Sequence, residues 1–128
     1  MLPDLFQESY WSEELGVTSA ISTERQVALA CDRLLGLPES QRAFLFLNVS
    51  ALHQPNCIFA PPATQDSPAT QQAALAYVDQ QLGALFAAMS SRAPLLCVLT
   101  SDHGTAYGED GYRGHRLAHE VVWTVPYA

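Results

Sequence analysis

Between Ser67 and Met89, apolar side chains return at three- and four-residue steps, at Leu75, Val78, Leu82, Leu85, Phe86 and Met89. That is the period of a helix face turned to a core. Ser67-Pro68 supplies its start, with proline at the first helical position, where the missing N–H has no partner to lose. The stretch "STERQVALACDRLLG", residues 22–36, predicts a second helix. Thr23 is its N-cap with Gln26 three residues on, Val27, Ala30, Cys31 and Leu34 are its apolar face, and Gly36 is its stop. Two short runs have a different pattern. "AFLFLNVS", 43–50, and "LLCVLTS", 95–101, are near-continuously apolar and of strand length, which predicts strands buried on both faces. "EVVWTVPYA", 120–128, carries a third strand pattern, and "ALHQPNCIFAPPATQDSP", with four prolines, is a loop. The first twenty residues have no period and carry Tyr10 and Trp11, aromatic side chains that need something to pack against.

Strand, long helix, strand makes a βαβ unit, with a right-handed crossover and parallel strands. The predicted fold class is therefore α/β, a βαβ unit from a mostly parallel sheet flanked by helices. One domain is expected over 1–128, with an N-terminal segment and helix over 1–42 and a core over 43–128. In open parallel sheets functional groups gather outside the carboxyl ends of the strands. His53 lies just past the first predicted strand and Asp102-His103 just past the second, which puts them on one rim.

Composition narrows the classes. In 128 residues, 48% are hydrophobic and 15% charged, enough to bury a core. The net charge is −7 and all six basic residues are dispersed arginines, so the footprint of a nucleic-acid binder is missing. No apolar run approaches the roughly 18 residues of a membrane span, and the acidic "MLPDLFQESYWSEE" is unlike a signal peptide. A soluble, cytoplasmic protein is expected. Cys31, Cys57 and Cys97 form neither a disulfide framework nor a zinc ribbon, and Cys97 reads as a small buried hydrophobe.

The candidate chemistry sits in "LLCVLTSDHGTAYGEDGYRGHR", 95–116, where an apolar run ends in Asp102-His103-Gly104 and a glycine-rich loop leads to His115. Carboxylate and imidazole together suit Zn²⁺ or Mn²⁺ rather than a soft thiolate metal. Gly104 lets the chain turn so that both face one ion, and Gly108, Gly111 and Gly114 let the loop fold back with His115. Simpler roles compete. Asp102-His103 alone reads equally as a capping aspartate beside a hydrogen-bonded histidine, His115 alone as a surface or structural residue, and His53 as part of a solvated loop. Glu109-Asp110-Gly111 reads as a turn, Asp79 as a cap or surface partner, and His119 carries no pattern.

At these residues the chain resembles the alkaline-phosphatase superfamily, in its sulfatase-like and phosphoethanolamine-transferase-like branch. "FLFLNVSALHQPN" is similar to the strand that precedes a His-x-Pro signature. "AYVDQQLGALF" resembles the helix, with its Tyr, Asp and Leu-Gly, that leads to the metal strand. "VLTSDHG" resembles the end of that strand, and "YGEDGYRGHR" the loop returning a histidine. The resemblance covers about residues 43–128. It implies Asp102 and His103 as ligands of a divalent metal, Zn or Mn, and His53 and His115 as catalytic groups contacting the sulfate or phosphate or assisting the leaving group. It also implies a small-molecule sulfate or phosphate ester as substrate. The family's second Asp-x-x-x-His metal pair is missing after "ALHQPN", so one metal is expected. An acidic strand end and a Ser, Thr or Cys nucleophile are not found before residue 43. The expectation is therefore the C-terminal part of a larger hydrolase, inactive by itself and prone to self-association through exposed sheet surface. Two rivals stand beside it: a non-catalytic βαβ interaction module, and a small zinc-binding regulatory domain using His53, Cys57, His103 and His115.

Overall fold

The computed structural model describes residues 2–128. The chain divides into two compact units, one ending at Ala93 and the other spanning Pro94–Ala128.

The first unit is built on two helices, α1 (Ser22–Gly36) and α2 (Pro68–Arg92). The start of α2 is the one its sequence predicts. Ser67 Oγ accepts from the Thr70 N–H at 3.2 Å, Thr70 Oγ1 accepts from the Ser67 N–H at 2.8 Å, and Pro68 opens the first turn. Thr70 also donates to Oδ1 of the fully buried Asn56 at 2.6 Å, which ties the proline-rich loop to the cap. Val78 and Leu85 of the apolar stripe are buried and Leu82 and Met89 pack against the cluster that contains Leu85, whereas Leu75 is exposed, correcting its placement in the core. Asp79 is exposed, as a surface residue should be.

The start of α1 departs from expectation. Its N-cap is Ile21, with no side-chain capping bond, and Thr23 lies inside the first turn with its hydroxyl buried. Burial of Ser22 and Thr23 outweighs their preference for the cap position. The core joins Val27, Ala30 and Leu34 of α1 to Leu85 of α2. Arg92 closes the other end of α1, donating to the carbonyls of Leu34 (2.6 Å), Leu37 (2.9 Å), Pro38 (3.0 Å) and Gln41 (3.1 Å). These carbonyls lie at and just beyond the end of α1, where helical bonding stops, and a planar guanidinium reaches several at once.

The N-terminal aromatics find partners in this unit. Arg33 pairs with Glu8 through Nε (3.0 Å) and Nη2 (2.9 Å) and lies 5.8 Å from the Tyr10 ring centre, while Phe6 stacks on Phe44 at 5.9 Å. Trp11 stays exposed.

The predicted strands are not formed. Residues 43–49 adopt no regular structure, and Phe44 is 81% exposed. Residues 95–99 are likewise irregular, Leu96 is 88% exposed, and Cys97 is exposed rather than a buried hydrophobe. An apolar run becomes a strand only when another backbone pairs with it, and among the described residues the pairing of these runs is limited to Leu99 and Thr100 against the C-terminal residues. A parallel βαβ sheet is accordingly absent from these residues, which instead contain two two-residue antiparallel strands, β1 (Ala106–Tyr107) and β2 (Arg113–Gly114). The third predicted strand is also corrected: Glu120–Trp123 is a short helix, α3. Beyond it the chain turns back antiparallel, bridging Tyr127 to Thr100, with Leu99 N–H donating to Ala128 O (2.7 Å) and Ala128 N–H to Leu99 O (2.9 Å).

Candidate active site

The site is assembled in the second unit from both ends of one loop. The segment rising from Leu99 ends at Asp102-His103, and Gly104 then passes directly beneath α3. Its N–H donates to Val122 O at 2.7 Å, and a Cβ here would lie 2.0 Å from the Val121 carbonyl oxygen. Close approach of two backbones, rather than turning freedom, is what requires glycine at 104.

From Gly104 the chain forms the β1–β2 hairpin, with Ala106 opposite Gly114 and Tyr107 opposite Arg113. Its tip, Glu109–Gly111, is a single 3-10 turn, in keeping with the turn expected there. Glu109 Oε2 accepts from the N–H groups of Tyr107 (2.5 Å) and Gly108 (3.1 Å). Backbone hydrogen bonds, led by its own N–H and then that of Tyr107, hold its carboxyl below the usual glutamate range. Gly114, at φ +89°, then turns the chain so that His115 returns.

His115 returns to His103. The two imidazoles stack with ring centres 4.3 Å apart and planes within 15°. His103 Nδ1 lies 2.9 Å from the Gly104 carbonyl oxygen, which can only accept, so Nδ1 carries a hydrogen, and in the neutral imidazole the lone pair is on Nε2. Metal-binding histidines are oriented in this way, by donating their second ring N–H to a carbonyl. Asp102 Oδ2 lies 3.9 Å from that Nε2, and the Asp102 side chain is 89% exposed. Two donors of the kind Zn²⁺ or Mn²⁺ takes therefore stand side by side. Among the described residues no group of three or more His, Cys, Asp or Glu side chains could hold a metal ion, so Asp102 and His103 stand as a pair without a completed ligand set.

His53 belongs to the other unit. It follows a single 3-10 turn, Ser50–Leu52, is exposed, and directs Nδ1 to the Gln54 carbonyl oxygen at 2.5 Å. Cys57 in the same unit is no ready thiolate: burial first, and then the neighbouring Asp66 carboxylate, push its thiol up. The hydroxyls nearest Asp102 are engaged with backbone, Ser101 Oγ donating to His103 O at 2.7 Å and Thr100 Oγ1 to Pro126 O at 3.0 Å.

One residue near the site had no legible signal. His119 caps α3, accepting at Nδ1 from the Val121 N–H (3.2 Å), and its Nε2 lies 3.1 Å from Asp110 Oδ2. Histidine is not among the favoured N-caps, and a nine-residue separation from Asp110 matches no helical or strand period.

Among known families, the sulfatase family model matches residues 5–127, nearly the whole chain. The chain belongs to the sulfatase family. With that membership come an α/β architecture, hydrolase chemistry and small-molecule ester substrates, and the balance moves away from an interaction module or a zinc-binding regulatory domain. No curated protein and no solved structure matches it. No helix among the described residues is long and apolar enough to cross a membrane.

Proposed function

We propose that this sulfatase-family chain carries the metal-strand part of the active site of a metal-dependent sulfate- or phosphate-ester hydrolase. In this reading Asp102 and His103 supply two ligands to a Zn or Mn ion, which when bound polarises an oxygen of the ester group. His115 donates hydrogen bonds to the oxygens of the transferred group or a proton to the leaving group. The observation that carries the reading is the meeting of His115 with His103, whose Nδ1 is held by the Gly104 carbonyl and whose Nε2 lies 3.9 Å from Asp102 Oδ2.

The attacking nucleophile and the remaining acidic ligands come, in this proposal, from residues outside these 128. Three observations support that part. Among the described residues no group of three or more His, Cys, Asp or Glu side chains could hold a metal ion, the hydroxyls of Thr100 and Ser101 are bonded to backbone, and the apolar segments 43–49 and 95–98 are not strands of any sheet.

Mn²⁺ titration followed by paramagnetic broadening tests the ligand assignment. Weak binding that broadens the signals of residues 102, 103 and 115, and is lost in both Asp102→Ala and His103→Ala, is expected. Broadening elsewhere, or binding unchanged in both variants, would overturn it. With Zn²⁺ or Mn²⁺ present, the 128-residue chain should hydrolyse neither aryl sulfate nor aryl phosphate above background. Turnover abolished by His103→Ala would show that the nucleophile lies within the chain, with Ser101 the first residue to replace.

A further inference from the structure

The His103–His115 stack is held by two flat rings in contact, and nothing in a short hairpin obliges its two ends to present those rings face to face. A closed circuit of contacts supplies the constraint. From His103 the chain passes to Gly104, whose N–H is bonded to Val122 O of α3. The N-terminus of α3 is capped by His119 Nδ1, and His119 Nε2 reaches across to Asp110 Oδ2 at the hairpin tip. From that tip β2 leads through Gly114 to His115, which closes the circuit on His103.

We propose that His119 is the positioning residue of this circuit: by holding α3 with one ring nitrogen and Asp110 with the other, it sets the hairpin so that His115 lies on His103. A single neutral tautomer satisfies both contacts, Nδ1 accepting from the Val121 N–H and the Nε2–H donating to the carboxylate. The Tyr112 ring, tilted at 53° with its centre 5.5 Å away, packs beside the imidazole, whose side chain is only 17% exposed while that of Asp110 is 83% exposed. Asp110 sits at φ 49° and ψ 26°, in the left-handed region that aspartate tolerates better than most residues, so the hairpin adopts an unfavoured backbone conformation at the residue that meets His119. The importance of this contact for ester chemistry rests on the functional reading above, whereas the contact itself does not.

Histidine-ring NMR on the full chain tests the role, since the chain has four histidines and single substitutions assign them. In His119→Ala the ring signals of His103 and His115 should lose the mutual ring-current displacement of stacked rings. His119→Gln, whose side-chain amide puts an N–H near the Nε2 position but no acceptor at Nδ1, should restore part of the displacement. His119→Asn keeps an acceptor for Val121 but falls short of Asp110, and should not. Asp110→Ala should match His119→Ala, and the double variant should be no worse than either single one, as expected for two residues acting through one contact. Ring signals unchanged in His119→Ala would overturn the proposal. Should His119→Ala lose the fold altogether, His119→Gln decides: recovery of the fold and of part of the displacement supports the role, and failure to recover overturns it. Failure of metal binding would instead sink the functional proposal and leave this contact standing.

Discussion

Where the unit ending at Ala93 buries Val27, Ala30, Leu34 and Leu85 against one another, the unit Pro94–Ala128 buries two apolar side chains, Ala106 and Val122. The first is held by packing between two helices. The second is held by directional contacts: the Leu99–Ala128 backbone pair, Gly104 against α3, Glu109 on two amides, and His119 between α3 and Asp110. Packing supplies stability roughly in proportion to area and tolerates small displacements. A hydrogen bond contributes only about 1 kcal/mol net, yet it fixes distance and angle. The candidate chemistry lies in the second kind of structure, where Asp102, His103 and His115 are placed accurately on little core.

The comparison can be broken most directly at Gly104. Replacing it with alanine sets a Cβ 2.0 Å from the Val121 carbonyl oxygen, and backbone cannot yield as a side-chain tip can. A loss above about 3 kcal/mol is expected, enough to undo a unit with so small a core. Hydrogen exchange at the Leu99 and Ala128 amides should rise to the unprotected rate. Protection at both amides as in the unmodified chain would mean that α3 can move aside and the close approach is dispensable.

Leu85→Ala is the matching change in the packed unit. Deleting a buried leucine side chain costs about 3 kcal/mol through lost transfer energy and the cavity left behind. Urea unfolding followed at α1 and α2 amides should show a lowered midpoint with an unchanged slope. A loss under about 1 kcal/mol would show that Leu82 and Met89 collapse into the space, and that this core is looser than its burial suggests.

Arg92 carries a polar contact inside the packed unit. Removing it leaves the carbonyls of Leu34, Leu37, Pro38 and Gln41 without their shared donor, and Arg92→Ala should cost about 2 kcal/mol. Lysine keeps the charge but not the planar fork, so Arg92→Lys should recover less than half of the loss. Equal stability of Arg92→Lys and the unmodified chain would reduce the arginine's role to charge near a helix C-terminus.

The smallest effect is expected at Glu109, whose carboxyl is fully exposed. Its folded-state pKa lies below the ordinary glutamate value of about 4.3, so its contribution is complete above that value and is lost as pH falls through the lowered folded one. Protection at the Tyr107 and Gly108 amides should therefore decline on acidification below about pH 4 and become pH-independent over the same range in Glu109→Gln. A decline that persists in Glu109→Gln would assign it to another carboxylate, with Asp110 the first to replace.

The sequence by itself determined the features whose causes are local. A serine before a proline and an apolar stripe at helical spacing specify α2, because caps and periodicity act within a few residues. The glycines between His103 and His115 made a returning loop legible, since Gly114 turns the chain just before the second histidine. The motif order likewise pointed to the sulfatase family, which the match over residues 5–127 shows, through residues whose spacing is kept in the chain itself. Only the tertiary structure decided the rest. Whether 43–49 and 95–99 become strands depends on backbones that pair with them, and hydrophobicity says nothing of who those partners are. The start of α1 at Ser22 rather than after a Thr23 cap followed from burial against the rest of the unit. The stacking of His103 on His115, and the hold of His119 on Asp110, arise where distant stretches of backbone meet. No period in a one-dimensional string records a contact that is made only when the loop has closed.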